Sequence, residues 1–313
     1  MGLRAELYKE LVKQGPSIED GKRVWNIAKR LFLFSTQEQA QAFLKLRNHP
    51  RYQAIIVQKE IELLTENKNI FQKELGKSNF NLIDMGCADG SRAKVFLQIM
   101  ENEDAKVKYI PVAVSDFFIN LSLQNIKKEN FKIVKDYHPF TENYESLDEV
   151  ASLVRSNNYQ KNVVLLLGSI LGSFEINEYL FNLSNAMFSG DCLIIGNGIR
   201  KGERLVNIEN YKHPLFNEWF MHLMKSLGFL EDEIEYDARF NQLRVEGFYR
   251  LKKDKTLKMD GKTMNMGKGD EVLVAILYKY YEDELKAFCE MYFSNVRLFK
   301  DKDEEYALII CKK

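Results

Sequence analysis

The chain has 313 residues, more than one compact domain usually needs, so one large or two interleaved domains are expected. Hydrophobic residues make up 45% and charged residues 29%, which supplies a core and excludes disorder over most of the length. Lys+Arg and Asp+Glu balance at 45 each, so no net field draws the chain to nucleic acid or an anionic membrane.

Residues 3 to about 76 read as helices only. Ser35-Thr36-Gln37-Glu38 has the form of a capping box, with Ser35 accepting from the Glu38 N–H while Glu38 reaches back. The helix behind it should stop at His49-Pro50, because Pro50 disfavours helical backbone at His49. A further helix from about Tyr52 to Leu64 places Ile56, Glu60 and Leu64 in i, i+4 register.

From Asn79 short apolar runs and helical stretches alternate. Strands are expected at 80–85, 109–114, 131–134, 163–167 and 192–196, and helices at 91–100, 117–126 and 176–187. Such alternation implies a parallel sheet with right-handed crossovers, hence a doubly wound α/β domain. After about Arg204 the alternation lapses. A helix at 214–227 precedes antiparallel strands at 243–251 and 272–278, separated by a polar stretch, 254–268, that is either a lid or a hairpin. A helix at 282–291 and strands at 296–299 and 306–311 would close the parallel sheet with an antiparallel hairpin. The expected architecture is a seven-stranded, mostly parallel sheet in residues 57–203 and 279–313. A second α+β domain would comprise residues 1–56 and 204–278.

No apolar run approaches the roughly 20 residues that cross a bilayer, and no signal-peptide core follows Met1. Glu6 stands where a myristoylation signal wants Ser or Thr. Cys87, Cys192, Cys289 and Cys311 are far apart, with no CxxC, so no metal site and no disulfide framework is indicated. A cytoplasmic protein with reduced cysteines is expected.

In parallel sheets ligands bind outside the carboxyl ends of the strands. The first such turn, Asp84-Met85-Gly86-Cys87-Ala88-Asp89-Gly90, is glycine-rich. No Gly-Lys-Ser/Thr follows, which excludes a phosphate loop, and Ala88 and Ser91 stand where a dinucleotide fingerprint has glycines. The spacing Asp84-x-Gly86-x-Ala88-x-Gly90 resembles the first motif of S-adenosylmethionine-dependent methyltransferases. With it come, in order, Tyr109-Ile110-Pro111-Val112, Val134-Lys135-Asp136-Tyr137, Leu167-Gly168-Ser169-Ile170-Leu171-Gly172, Ser189-Gly190-Asp191 and Tyr306-Ala307-Leu308. Together these resemble the histidine-specific methyltransferase family of the ergothioneine pathway, over roughly residues 50–313. The implied fold is the class I, Rossmann-like methyltransferase with a second, substrate-binding domain.

Several roles follow from that resemblance. Gly86 and the basic residue six positions on, Arg92, would touch S-adenosylmethionine. Asp136 would accept from the adenine amine while Tyr137 stacks on the ring. Gly168, with Ser169, would face both cofactor and substrate. Tyr52 matches a tyrosine that contacts the amino acid, and Ser173 stands where the family has an Asn gripping the substrate's amino and carboxylate groups. Tyr211 falls near a substrate-binding tyrosine. Two departures stand out. Ala113 occupies the position of the acid that holds the ribose hydroxyls, and Ala275 and Leu277 align with the Glu-x-Ser pair that binds imidazole. With Val245 beside them the implied pocket wall is apolar, so the expected substrate is a small-molecule amine other than free histidine, oriented by Tyr52 and Ser173. His49 and His138 read as loop histidines. The rival readings are a catalytically lapsed binding protein on the same fold, a protein or peptide methyltransferase, and a nucleotide oxidoreductase.

Overall fold

A computed structural model describes residues 2–201, 207–259 and 261–313, so the expected domain boundary at 203–204 lies outside the described residues. The chain divides into two compact units, Met1–Arg47 with Val206–Lys279 and Asn48–Leu205 with Tyr280–Lys313. Among the described residues no helix is long and apolar enough to cross a membrane.

The first unit opens on the helix Leu3–Gln14. Strands β1 (Pro16–Glu19) and β2 (Lys22–Asn26) then pair antiparallel, where the sequence reads as helix only. Asp20-Gly21 causes the difference. Both residues have positive φ (48° and 76°), the backbone an Asp-Gly hairpin turn adopts. The helix Gln37–Arg47 is capped one residue later than expected. Gln39 N–H donates to Thr36 Oγ1 (3.3 Å) and Thr36 N–H donates to Gln39 Oε1 (3.0 Å). The Ser35 hydroxyl instead donates to the Leu31 carbonyl (2.8 Å).

The second unit begins with Pro50 at the first helical position, which its fixed φ suits. Helix Pro50–Tyr52 passes through a π turn, Gln53–Val57, into helix Gln58–Glu66. Leu63 and Leu64 from this segment join the sheet's own core of Phe80, Phe96, Tyr109 and Leu165. That burial is why the segment belongs with the sheet. Strands β3 (Phe80–Met85), β4 (Val107–Ala113), β5 (Val134–Tyr137), β6 (Phe140–Thr141), β7 (Lys161–Leu166) and β8 (Cys192–Arg200) follow, all pairing parallel. Near-continuous burial along β3, β4, β7 and β8 reflects helices on both faces.

Returning to the first unit, β9 (Ile234–Asn241), β10 (Arg244–Leu251), β11 (Lys255–Met259), β12 (Lys262–Met266) and β13 (Glu271–Tyr278) are antiparallel neighbours. The polar stretch 254–268 is thus a hairpin, β11–β12. The larger sheet has the order β1-β2-β13-β10-β9, with β2 and β13 parallel. One face carries two fully buried carboxylates, Glu246 and Glu271 (both 0% exposed). Arg239 bridges them, donating from Nε to Glu246 (2.7 Å) and from Nη1 to Glu271. Arg244 adds a contact to Glu246 (2.6 Å), and Arg250 (3.1 Å) and Lys22 (3.2 Å) close on Glu271.

The chain then re-enters the second unit with β14 (Tyr280–Tyr281), β15 (Ser294–Lys300) and β16 (Tyr306–Lys312). The completed order is β15-β16-β8-β7-β3-β4-β5, with β16 antiparallel to β8 and to β15. Strands β6 and β14 add short pairings to β4 and β8, so the sheet holds nine strands rather than seven.

Burial pushes the Glu271 carboxyl up, but hydrogen bonds from Arg239, Arg250 and Lys22 outweigh it and hold the group below its ordinary 4.5. A carboxylate depressed in the folded state stabilises above its unfolded pKa and loses that contribution as pH falls through the folded value. Glu271→Gln should therefore cost about 3 kcal/mol near neutral pH. It should also flatten the acid loss of melting temperature below about pH 4.5, both readable from thermal melts across a pH series.

Candidate cofactor site

At the carboxyl edge of the parallel strands the chain turns sharply after β3. Gly86 has φ +72°, and a Cβ there would lie 2.5 Å from Ile170 Cδ1 and 2.9 Å from Tyr144 Cε1. Any side chain would have to displace a buried neighbour, so this turn can close against Ile170 and Tyr144 only with glycine there. Ala88 (φ 48°) and Ser169 (φ 57°) hold left-handed backbone without being glycine, a strain that clusters at binding turns. Cys87 in the same turn is inert. Burial first, and Asp84 second, push its thiol well above the ordinary range.

Arg92 lies in the first turn of the helix Ser91–Met100 and is 9% exposed. Burial, the largest single effect, opposes its charge, yet Glu60, followed by Tyr52, Tyr306 and Asp89, together outweigh it and raise the guanidinium's pKa. Gly168, at φ +79°, gives the guanidinium its place. A Cβ there would lie 3.1 Å from Nη1 and 3.2 Å from Nη2. Glu60 accepts from the Gly168 N–H and from the Tyr306 hydroxyl, both at 2.5 Å. Ser169 is pinned to the next strand, its N–H on the Gly196 carbonyl (3.0 Å) and its Oγ accepting from the Gly198 N–H (3.1 Å).

The structure therefore brings Arg92, Gly168 and Ser169 together, with Gly86 beside them through Ile170 and Tyr52 near enough to act on the Arg92 charge. Ser173 ends the single turn Leu171–Ser173 that follows, its N–H on the Ile170 carbonyl (2.9 Å). Glu60 and Tyr306 were not expected at the site. For Glu60 a signal existed, since it is the one charged residue on the apolar stripe Ile56-Glu60-Leu64.

Asp136 and Tyr137 are not brought there. The third strand starts, rather than ends, at Val134, so Asp136 pairs with Lys108 and Tyr137 with Tyr109. That is the level at which β4 begins, five residues or roughly 16 Å from its carboxyl end. Asp136 accepts its neighbour's N–H (2.8 Å), and the Tyr137 ring lies 5.0 Å from Lys127 Nζ. Pro139 offers no N–H, pairing lapses, and the strand resumes as β6, where Thr141 stands opposite Ala113. The residues that reach the edge are Thr141, whose hydroxyl donates to Asp116 (2.5 Å), and Glu142, whose N–H donates to the Ala113 carbonyl (2.9 Å).

The remaining expected residues lie in the first unit. Val245 pairs with Leu277 and Gly247 with Ala275, which puts all four on one face of the sheet. Tyr236 and Phe220 cover that face, within 3.2 and 3.3 Å of where a Gly247 Cβ would sit. Tyr211 is tied to the same group, its carbonyl accepting from the Tyr236 hydroxyl (2.9 Å). The buried carboxylates Glu246 and Glu271 belong to the opposite face.

A family model described as histidine-specific methyltransferase, SAM-dependent, matches residues 29–313. No curated protein matches the chain. Among solved structures, an S-adenosylmethionine-dependent methyltransferase from Clostridium acetobutylicum shares 12% identity, covering 87% of this chain and 98% of its own (TM-score 0.46). The PH0226 protein from Pyrococcus horikoshii shares 10%, covering 88% and 99% (0.43). CalS10, an amino pentose methyltransferase from Micromonospora echinaspora solved with SAM bound, shares 8%, covering 87% and 96% (0.40). These are distant likenesses, and the assignment rests on the family match over nearly the whole chain. The chain belongs to the histidine-specific, S-adenosylmethionine-dependent methyltransferase family.

Proposed function

We propose that the protein methylates an amine of a small molecule, an amino acid or amino-acid derivative other than free histidine. The observation that carries this reading is the apolar face of Val245, Ala275 and Leu277, set among Tyr236, Phe220 and Tyr211. The family's imidazole-binding Glu and Ser are replaced there by groups without donors or acceptors. An imidazole against such a wall loses polar partners at about 1–3 kcal/mol each, whereas an apolar or aromatic side chain loses none.

The cofactor-edge residues fit S-adenosylmethionine, with a tight turn at Gly86 that admits no side chain and the Arg92 guanidinium suited to its carboxylate. For the adenine amine we assign Glu142 in place of Asp136. Asp116, held by Thr141, takes the ribose side that Ala113 vacates. When bound, the cofactor supplies a methyl group activated on a sulfonium. With the cofactor held by Gly86, Arg92, Glu142 and Asp116, methylation of a neutral amine would leave S-adenosylhomocysteine, and the proton of the resulting ammonium would pass to water. Tyr52 and Ser173 orient the neutral amine, and the protein's contribution is positioning and exclusion of water rather than covalent participation. A lapsed binding protein is the second reading, favoured by Ala113.

Calorimetry with S-adenosylhomocysteine tests the cofactor assignments. Gly86→Val should abolish binding, and Glu142→Ala should weaken it about tenfold, the worth of a charge-assisted hydrogen bond. Asp136→Ala should leave it unchanged. An equal loss at Asp136 would overturn the register argument. In an amine screen, at least one aromatic amino acid or its decarboxylated form should be methylated with kcat/KM about 100-fold above histidine. Cofactor binding with no turnover on any amine would establish the lapsed reading instead.

A further inference from the structure

None of the roles above uses Glu60 as a recognition element, yet it is wholly buried (0% exposed) against the cofactor edge. Burying a carboxylate is costly unless its charge is answered. Oε1 is satisfied by the Gly168 N–H and the Tyr306 hydroxyl. Oε2 faces Arg92 Nε as an ion pair, but neither atom has a directed hydrogen bond. Tyr306 stays neutral, since burial and then Glu60 push its phenol well up. Glu60 and Arg92 thus form a charge-neutral pair beside Gly168, with the half-buried Asp89 on the same turn as a weaker, more distant anion.

Substrate and product of methyl transfer differ there by one charge. S-adenosylmethionine carries a sulfonium, an ammonium and a carboxylate, a net +1, whereas S-adenosylhomocysteine is a neutral zwitterion. Arg92 alone would hold the carboxylate of both, but it would leave a buried positive charge that repels only the sulfonium form. We propose that Glu60 is a specificity-determining residue, the counter-charge that makes the Arg92 subsite prefer the cationic cofactor to its neutral product. The inference rests on the methyltransferase reading and adds to it a device against product inhibition.

The test is the ratio of two dissociation constants, measured by calorimetry on the full chain with S-adenosylmethionine and S-adenosylhomocysteine. Glu60→Gln keeps an acceptor for Gly168 and Tyr306 while deleting the charge. It should lower the preference for S-adenosylmethionine about tenfold, as expected for one unit charge at an effective dielectric near 20. Arg92→Gln should weaken both ligands but move the ratio the opposite way. An unchanged ratio in Glu60→Gln, even with both ligands weakened, would make Glu60 a packing partner of Arg92 and sink the proposal. Should Glu60→Gln not fold, Arg92→Gln decides, a raised ratio supporting the idea and an unmoved one overturning it. A parent chain that binds neither ligand defeats the cofactor reading as well, whereas binding with an unmoved ratio defeats only this inference.

Discussion

One buried carboxylate ties together segments that are far apart in the chain. Glu60 comes from the helix ahead of the sheet and meets the guanidinium of the helix after β3, the backbone after β7 and the hydroxyl that opens β16. Its neighbour Lys59 extends the same connection outward, binding Asp301 (2.7 Å), Asp303 (3.2 Å) and Glu305 (3.1 Å) in the turn that leads into β16. The glycine-rich turn needs a fixed guanidinium beside it, and the guanidinium needs an answering charge to remain buried. The packing of the preceding helix against the sheet is therefore a condition of the site rather than a decoration on it.

The first unit solves a comparable problem with different means. Its sheet buries two carboxylates under three arginines and a lysine on one face, which leaves the other face free to be almost wholly apolar and aromatic. Charge segregation of this kind follows from strand alternation. Glu246 and Gly247 are adjacent in sequence but point to opposite sides, so an arginine ladder and an apolar wall coexist on the same two strands.

Much of the second unit was legible because its signals are local. Runs such as 80–85 and 192–196 admit little but a strand buried on both faces, and the turn after the first of them names its own glycine. Arg92 was implied by the family resemblance rather than by any local signal. Asp136 lies away from the carboxyl edge for a local reason. The residues 131–134 are as apolar as a strand, but the pairing begins where that run ends, and a shift of a few residues moves a side chain to the other end of the sheet. Pro139 disguised the continuation, since a strand that skips a hydrogen bond reads as a loop. The hairpin at Asp20-Gly21 and strand β9 were passed over because half-exposed strands mix polar and apolar residues as amphipathic helices do. Glu60 lay in plain view on an apolar stripe, but what answers its charge is set by tertiary contacts that no spacing rule encodes.

The π turn at Gln53–Val57 has a geometric consequence for this arrangement. Tyr52 and Glu60 are eight residues apart, and on an unbroken α-helix, at about 100° per residue, their side chains would diverge by roughly 80°. Lodging one extra residue in the turn makes them behave as if seven apart, which returns them to nearly one line. Glu60 then pairs with the Arg92 guanidinium, and Tyr52 lies near enough to act on its charge. The bulge acts as a phase correction, rotating one end of a helix against the other so that a phenol and a carboxylate converge on one cation. Straightening the turn into α-helix with no residue removed would turn Tyr52 away from Arg92 while leaving every side chain of the site in the sequence, whereas deleting one residue within it would keep the two in line.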